Sequence, residues 1–480
     1  MVQSALLRIA VDTALALEIA FLVYFVVINL TYFGMTAVAL VAFLRDAHVT
    51  AKPDGPDAFS DFEVPITILV PAYNEAAIIE IGVRSLLALH YSTFEVIVIN
   101  DGSKDDTVEI LKREFALEPI PDASERKLET VVPRGVYRSR THANLRLIDK
   151  PNGGKSDALN AGLNLARYPL VFCADADSSY LTSCLRLMVQ PFLDDPTTIV
   201  SGGNVAIRSA EFERGKPIVK TGLPKLTISR FQVVEYLRSF LSSRMAWSQV
   251  NALMIISGAC GLWKKDVLIE SGGFRTDTIW EDMEITFRLH HDMRAKRRPY
   301  RIAFVPQTVC LTDVPEDIKT LFNQRAGWHR HLSECISIHR RMLFNPRYGS
   351  VGMLAYPYLV FGEWLAPVIL IFGLGFTIVM ALTGLLSGRA QLILLFLVFA
   401  FGYLNSVSAL LLDTIAFRSF KPREVVQLLG YAAIEMFGYR QLATWANFVG
   451  FWRWLVVHPI RGKREGVANV KVQAYRPFEK

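Results

Sequence analysis

The sequence predicts an α/β domain with a mostly parallel sheet, flanked by transmembrane α-helices. Three observations lead there. Buried-strand runs alternate with helical patterns between about residues 60 and 340. Apolar residues make up 51% of the 480 positions, above the ordinary globular range. That excess lies near residues 12–44 and again from about 353 to 457, so the centre keeps a soluble composition.

The first apolar stretch, 17–44, has no charge beyond Glu18 at its edge and is long enough to cross a bilayer. It is too long for a signal-peptide core, and no small-residue cleavage site is evident. Arg45, His48 and Lys52 follow it, while Arg330, Arg340, Arg341 and Arg347 precede the next apolar stretch. The positive-inside rule therefore puts the central domain in the cytoplasm. Residues 354–386, with Glu363 near their start, and 392–412 read as two further spans joined by a tight turn at 387–390. Arg418, Lys421 and Arg423 then return to the cytoplasmic side.

Residues 425–457 are apolar but carry Glu435, Arg440 and Arg453. Glu435 and Arg440 stand five apart, a poor spacing for a helical ion pair. We read a single crossing here in preference to an interfacial hairpin. The expected division is an N-terminal transmembrane helix (1–50), a cytoplasmic domain (51–345), a C-terminal membrane region (346–458) and a polar tail (459–480).

The net charge of +7 is mild and sits partly in juxtamembrane clusters, so no nucleic-acid partner is read from it. Cys173, Cys184, Cys260, Cys310 and Cys335 show no metal-ligand spacing. They fit a reduced compartment and argue against structural zinc or a disulfide frame. Residues 116–146, with Pro119, Pro121, Pro133 and Gly135 among many charges, read as a surface loop.

Within the central domain, a buried-strand run at 64–70 ends in Pro71-Ala72-Tyr73-Asn74-Glu75, and a helix pattern follows. A second run at 94–99 ends in Asn100-Asp101-Gly102-Ser103, and a third at 169–174 ends in Asp175-Ala176-Asp177. In such sheets ligands bind beyond the carboxyl ends of the strands, which places Tyr73, Glu75, Asp101, Asp175 and Asp177 on one rim. Paired carboxylates at a strand end suit Mg²⁺ or Mn²⁺, which takes one or two carboxylates and leaves room for phosphate oxygens. A solvated turn would also favour Asp, but acids at three strand ends of one rim are a costlier coincidence.

Further motifs follow in order. Asn152-Gly153-Gly154-Lys155 opens a helix pattern whose positive end suits phosphate, without the glycine spacing of a P-loop. Ser257-Gly258-Ala259 is a small-residue loop that allows close approach to the backbone. Trp280-Glu281-Asp282 precedes a helix, so its acids suit either a dipole-matched cap or a general base. Gln324, Arg325 and Trp328 fall together on a helix that is also basic and amphipathic enough to lie on a membrane surface.

Taken in order, these stretches resemble the membrane-integrated glycosyltransferases of family two, which include cellulose, chitin, hyaluronan and poly-N-acetylglucosamine synthases. The resemblance implies a GT-A fold and inverting transfer from a UDP-sugar. By that resemblance Tyr73, Glu75 and Asp101 contact the uridine, and Lys155, Asp175, Gln324 and Arg325 serve the nucleotide sugar. Asp177 holds the metal, Asp282 is the catalytic base, and Ser257, Gly258, Ala259, Glu281 and Trp328 face the acceptor. Two departures stand out. Trp280 occupies a position where Thr is usual, and Gly327 one where an Arg grips the diphosphate.

The function expected from the resemblance is metal-dependent extension of a β-linked polysaccharide, built from N-acetylglucosamine or glucose, at a bacterial plasma membrane. Its expected partners are a UDP-sugar donor, a glycan or lipid-linked acceptor, the lipid bilayer and accessory export subunits. The tail lacks the gating-loop motifs of hyaluronan and cellulose synthases, which keeps addition of one sugar to a lipid carrier as the alternative. A transporter is a remote third reading, supported only by Glu363, Glu435 and Arg440.

Overall fold

The computed structural model describes residues 2–50, 63–209, 222–278, 280–384 and 387–461. Most of the expected polar tail, from 462 on, lies outside the described residues. The strands are β1 (Ile66–Ala72), β2 (Phe94–Asp101), β3 (Leu117–Ile120), β4 (Gly135–Ser139) and β5 (Leu145–Lys150), then β6 (Leu170–Cys173), β7 (Ser179–Tyr180), β8 (Thr198–Ile207), β9 (Gly261–Lys264) and β10 (Arg301–Thr312). They form one ten-stranded sheet in the order β3-β4-β5-β2-β1-β6-β9-β8-β10-β7.

The centre, β5-β2-β1-β6, is parallel as expected. Around it the sheet is mixed. β9 runs antiparallel to both β6 and β8, and β3-β4 adds an antiparallel edge to β5. That edge corrects the reading of 116–146 as a surface loop. Its prolines and charges disguised two short strands, whose exposed residues belong to a sheet margin where one side has no partner to satisfy.

The strand runs are apolar throughout because both faces are covered. Ile66, Ile68 and Val70 of β1 and Val96 and Val98 of β2 pack on one side with Ile79, Val83, Leu111, Leu185 and Met188 from three helices. Leu69, Ile97 and Ile99 point the other way, towards Leu159 and Leu163 of Lys155–Leu165 and Ile285 and Leu289 of Glu281–Ala295. The alternation follows from the two-residue period of a strand. It leaves the carboxyl ends of β1, β2 and β6 open on a common rim.

Among the described residues, three helices are long and apolar enough to cross a membrane: Val11–Arg45, Ala366–Thr383 and Gln391–Ala416. Val23, Val27, Leu30, Phe372, Leu382 and Phe396 all face outward, a surface that hydrocarbon suits and water does not. The second candidate span starts at Ala366, later than the expected 354. Residues before it form interrupted π-helical turns that bury Val351, Tyr356 and Leu359 beneath the long helix Ile318–Ile338. The Tyr356 hydroxyl donates to the Ile336 carbonyl at 2.6 Å, tying this stretch to the domain.

The segment expected to make a single crossing, 425–457, is not one continuous helix. Two helices, Pro422–Ile434 and Tyr439–Arg461, meet at a turn over residues 435–438, and neither is among the candidate spans. Glu435 and Arg440 do pair, because the turn between them brings together side chains that a continuous helix would hold apart. Arg238 joins the same carboxylate at 2.8 Å, and the Ser406 hydroxyl donates to it at 2.7 Å.

Candidate active site

The rim gathers most of the expected residues. After β1, the chain turns at Asn74, which adopts a φ of 58°. Its N–H donates to the Ser103 hydroxyl, and the Glu75 N–H donates to the Thr107 hydroxyl, both at 2.9 Å. These bonds fix the loop after β1 to the loop after β2 and set Glu75 among acids. Burial, with Asp177, Asp175 and Asp105 nearby, pushes the Glu75 carboxyl up to about 7.

Beyond β6, Asp175 and Asp177 stand half-buried on either side of the buried Ala176. The Asp175 N–H donates to the Tyr180 hydroxyl at 2.9 Å, and that hydroxyl donates to the Ala259 carbonyl at 2.8 Å. One phenol thus links the acidic loop to the Ser257-Gly258-Ala259 loop. The Asp177 carbonyl accepts from Arg208, which also pairs with Asp313. Burial and the neighbouring Asp175 raise the Asp177 carboxyl, an effect that Arg208 and Lys155 partly offset.

Lys155 connects the two halves of the site. Its ammonium lies 2.8 Å from Asp175 and 3.0 Å from Glu281. Burial works against its charge, but these carboxylates outweigh burial and hold the lysine well above its usual range. Its position follows from the turn before it. Gly154 takes a φ of +91°, which a side chain would resist, and so delivers the chain into the helix at Lys155.

Asp282 opens the helix Glu281–Ala295. Gly258 donates to its Oδ2 at 3.0 Å and Met283 to its Oδ1 at 2.8 Å. Two backbone N–H groups therefore aim the carboxylate across the small-residue loop. His331 comes within 4.0 Å of Oδ1.

Three expected residues are placed differently. Asp101 is 3% exposed, and its oxygens accept from Lys150, Gly153 N–H and Gly154 N–H. It organises the glycine turn from behind rather than projecting into the rim. Arg325 is 2% exposed and pairs with Glu235 at 2.6 Å, while Gln324 accepts from Arg325. Arg325 is turned into the interface with the helix Thr227–Tyr236, and Gln324 beside it is half-buried. Trp328 lies under the Arg325 guanidinium, 4.3 Å from ring centre to carbon.

The two departures noted in the sequence occur at one place. A Cβ on Gly327 would come 2.9 Å from the Cη2 atom of Trp280. The indole therefore covers the ground where a side chain at 327 would begin. The Trp280 ring also meets His331 edge-on, with centroids 5.5 Å apart. Sequence reading missed Tyr180, Arg208 and His331, because a single Tyr, Arg or His without motif spacing carries no signal of its partners.

The donor set also fits a divalent cation. Glu75, Asp175 and Asp177 offer hard oxygens in mutual repulsion, with Lys155 bound to only one of them. Among the described residues no group of three or more His, Cys, Asp or Glu closes on a common point.

The family model for glycosyl transferase family 2 matches residues 67–267, and that for glycosyl transferase family group 2 matches 170–405. The chain belongs to the family 2 glycosyltransferases. It is 30% identical over 274 residues to the poly-beta-1,6-N-acetyl-D-glucosamine synthase of Staphylococcus aureus (strain COL), covering 57% of this chain and 56% of that one. The Staphylococcus epidermidis protein of the same description is 29% identical over 264 residues, covering 55% and 53%. The match thus spans a little over half the length of each relative.

Among solved structures, a mannosyltransferase from Pyrobaculum calidifontis, in complex with GDP-Man and Mn²⁺, superposes with a TM-score of 0.51 at 19% identity. The overlap covers 92% of this chain and all of that one. This likeness supports the GT-A fold of the family 2 domain.

Proposed function

We propose that this protein is an inverting, metal-dependent glycosyltransferase. It moves a sugar from a UDP-sugar to the hydroxyl end of a growing β-linked polysaccharide at the cytoplasmic face of a bacterial plasma membrane. N-acetylglucosamine is the favoured sugar, in keeping with the staphylococcal relatives' description. The observation that carries the reading is Lys155, which bridges Asp175 on the donor side to Glu281, the neighbour of Asp282.

In this scheme Asp282 accepts the proton of the acceptor hydroxyl as that oxygen attacks the anomeric carbon. The bond to the diphosphate breaks on the opposite face, and the sugar inverts in one displacement. No protein nucleophile is needed. The N–H groups of Gly258 and Met283 keep the Asp282 carboxylate aimed during the transfer. Lys155 lies where the departing diphosphate gains charge. Asp177, with Asp175, would hold a divalent cation, which when bound supplies Lewis-acid stabilisation of that leaving group. Mg²⁺ or Mn²⁺ fits these ligands, and Mn²⁺ accompanies the sugar nucleotide in the structural neighbour.

The test is release of UDP by the purified full-length protein supplied with a panel of UDP-sugars, with mass analysis of the product. UDP release with UDP-N-acetylglucosamine and a ladder of products is expected. A single added sugar would replace polymerisation with transfer to one acceptor. No release from any sugar nucleotide would contradict the function.

A further inference from the structure

We propose that Tyr180 is a positioning residue for Asp282, keeping the base in register with the loop that carries Asp175 and Asp177. The inference rests on the reading of this site as a glycosyltransferase centre. Tyr180 ends the two-residue strand β7 and pairs with Cys310 of β10. It is 3% exposed, and its ring meets Phe172 of β6 edge-on, with centroids 5.5 Å apart. Strand pairing and ring packing together fix where the phenol points.

From that hydroxyl a chain of bonds runs to the base. The oxygen accepts from the Asp175 N–H at 2.9 Å and donates to the Ala259 carbonyl at 2.8 Å. Ala259 follows Gly258, whose N–H donates to Asp282 Oδ2 at 3.0 Å. The loop is closed on itself, since the Cys260 N–H donates to the Ser257 carbonyl at 3.0 Å. A Cβ on Gly258 would lie 3.2 Å from Asp282 Oδ2 and 3.3 Å from Glu281 Oε1, so this backbone is pressed against both acids. A tilt of the loop therefore moves the N–H that aims the carboxylate.

A phenol suits this place because one oxygen both accepts and donates. Phenylalanine would fill the same space and deprive both main-chain groups of that partner. The bond to Asp175 is made through its main chain, and Lys155 still holds its carboxylate. Loss of the hydroxyl should therefore slow transfer and spare donor binding.

The experiment compares wild type, Tyr180→Phe, Asp282→Asn and the double variant as full-length protein in detergent with Mn²⁺. Equilibrium binding of UDP is measured beside transfer from the UDP-sugar that wild type uses. Tyr180→Phe is expected to bind UDP within about twofold of wild type and to transfer sugar about tenfold more slowly. On the Asp282→Asn background the same change should alter residual transfer by less than about twofold, because its effect runs through the missing base. Unchanged transfer in Tyr180→Phe overturns the proposal. A loss of equal size on both backgrounds overturns it too, as does UDP affinity falling in step with transfer. If Tyr180→Phe does not fold, Tyr180→Met carries the same expectations and the same contradictions. A wild type that transfers from no UDP-sugar contradicts the glycosyltransferase reading instead, and this assignment falls with it.

Discussion

Glu75 shows how far the surroundings of one side chain can shift its chemistry. Its carboxyl ordinarily releases a proton near 4.5, but burial and three neighbouring acids raise it to about 7. Folding therefore binds a proton between those values. The contribution to stability is fully present below about pH 4.5 and is lost as pH rises through about 7. Thermal unfolding of metal-free protein should show falling stability across that window, and Glu75→Gln should flatten the fall. An undiminished slope in the variant would contradict the crowding of acids at this rim.

Asp101 teaches the complementary lesson. Hydropathy located it at a strand end, as it did Asp175 and Asp177, but cannot say which way a carboxylate turns. Lys150 and the N–H groups of two glycines claim Asp101 from behind. Those partners lie about fifty residues further along the chain, on β5 and the turn that follows it.

At the scale of elements, the helices Glu281–Ala295 and Ile318–Ile338 meet through Trp280 and Gly327. Each departure from the family pattern was legible alone, and their connection was not, since contact across helices leaves no periodic mark. Gly327→Arg should clash with Trp280 and destabilise the protein by about 1–3 kcal/mol, as overpacking usually does. Trp280→Thr combined with Gly327→Arg should recover part of that loss, so the two effects should fail to add. Strict additivity in a thermal-unfolding cycle would show that the two positions do not share the space.

At the scale of the whole molecule, the parallel centre of the sheet and the existence of long apolar helices were readable because burial on both faces leaves continuous apolar runs. The β3-β4 edge was not, because prolines and charges mask two short strands whose outer side has no partner. The turn at 435–438 was not, because the Arg238 and Ser406 groups that complete its ion pair come from elsewhere in the chain. Glu435 is fully buried between Arg238, Arg440 and Ser406, joining the domain, the last candidate span and the terminal helices. Glu435→Ala would leave two cations without their counter-charge, and should cost about 3–5 kcal/mol. A melting temperature equal to wild type in detergent would contradict that linkage.

The proposed mechanism turns on one carboxylate, that of Asp282, held by the N–H groups of Gly258 and Met283. The most direct test is Asp282→Asn, assayed for UDP binding and for sugar transfer on the same preparation. The variant should bind UDP within about twofold of wild type and lose transfer by a factor of about a hundred or more, the range general-base catalysis supplies. Transfer at the wild-type rate would contradict Asp282 as the base.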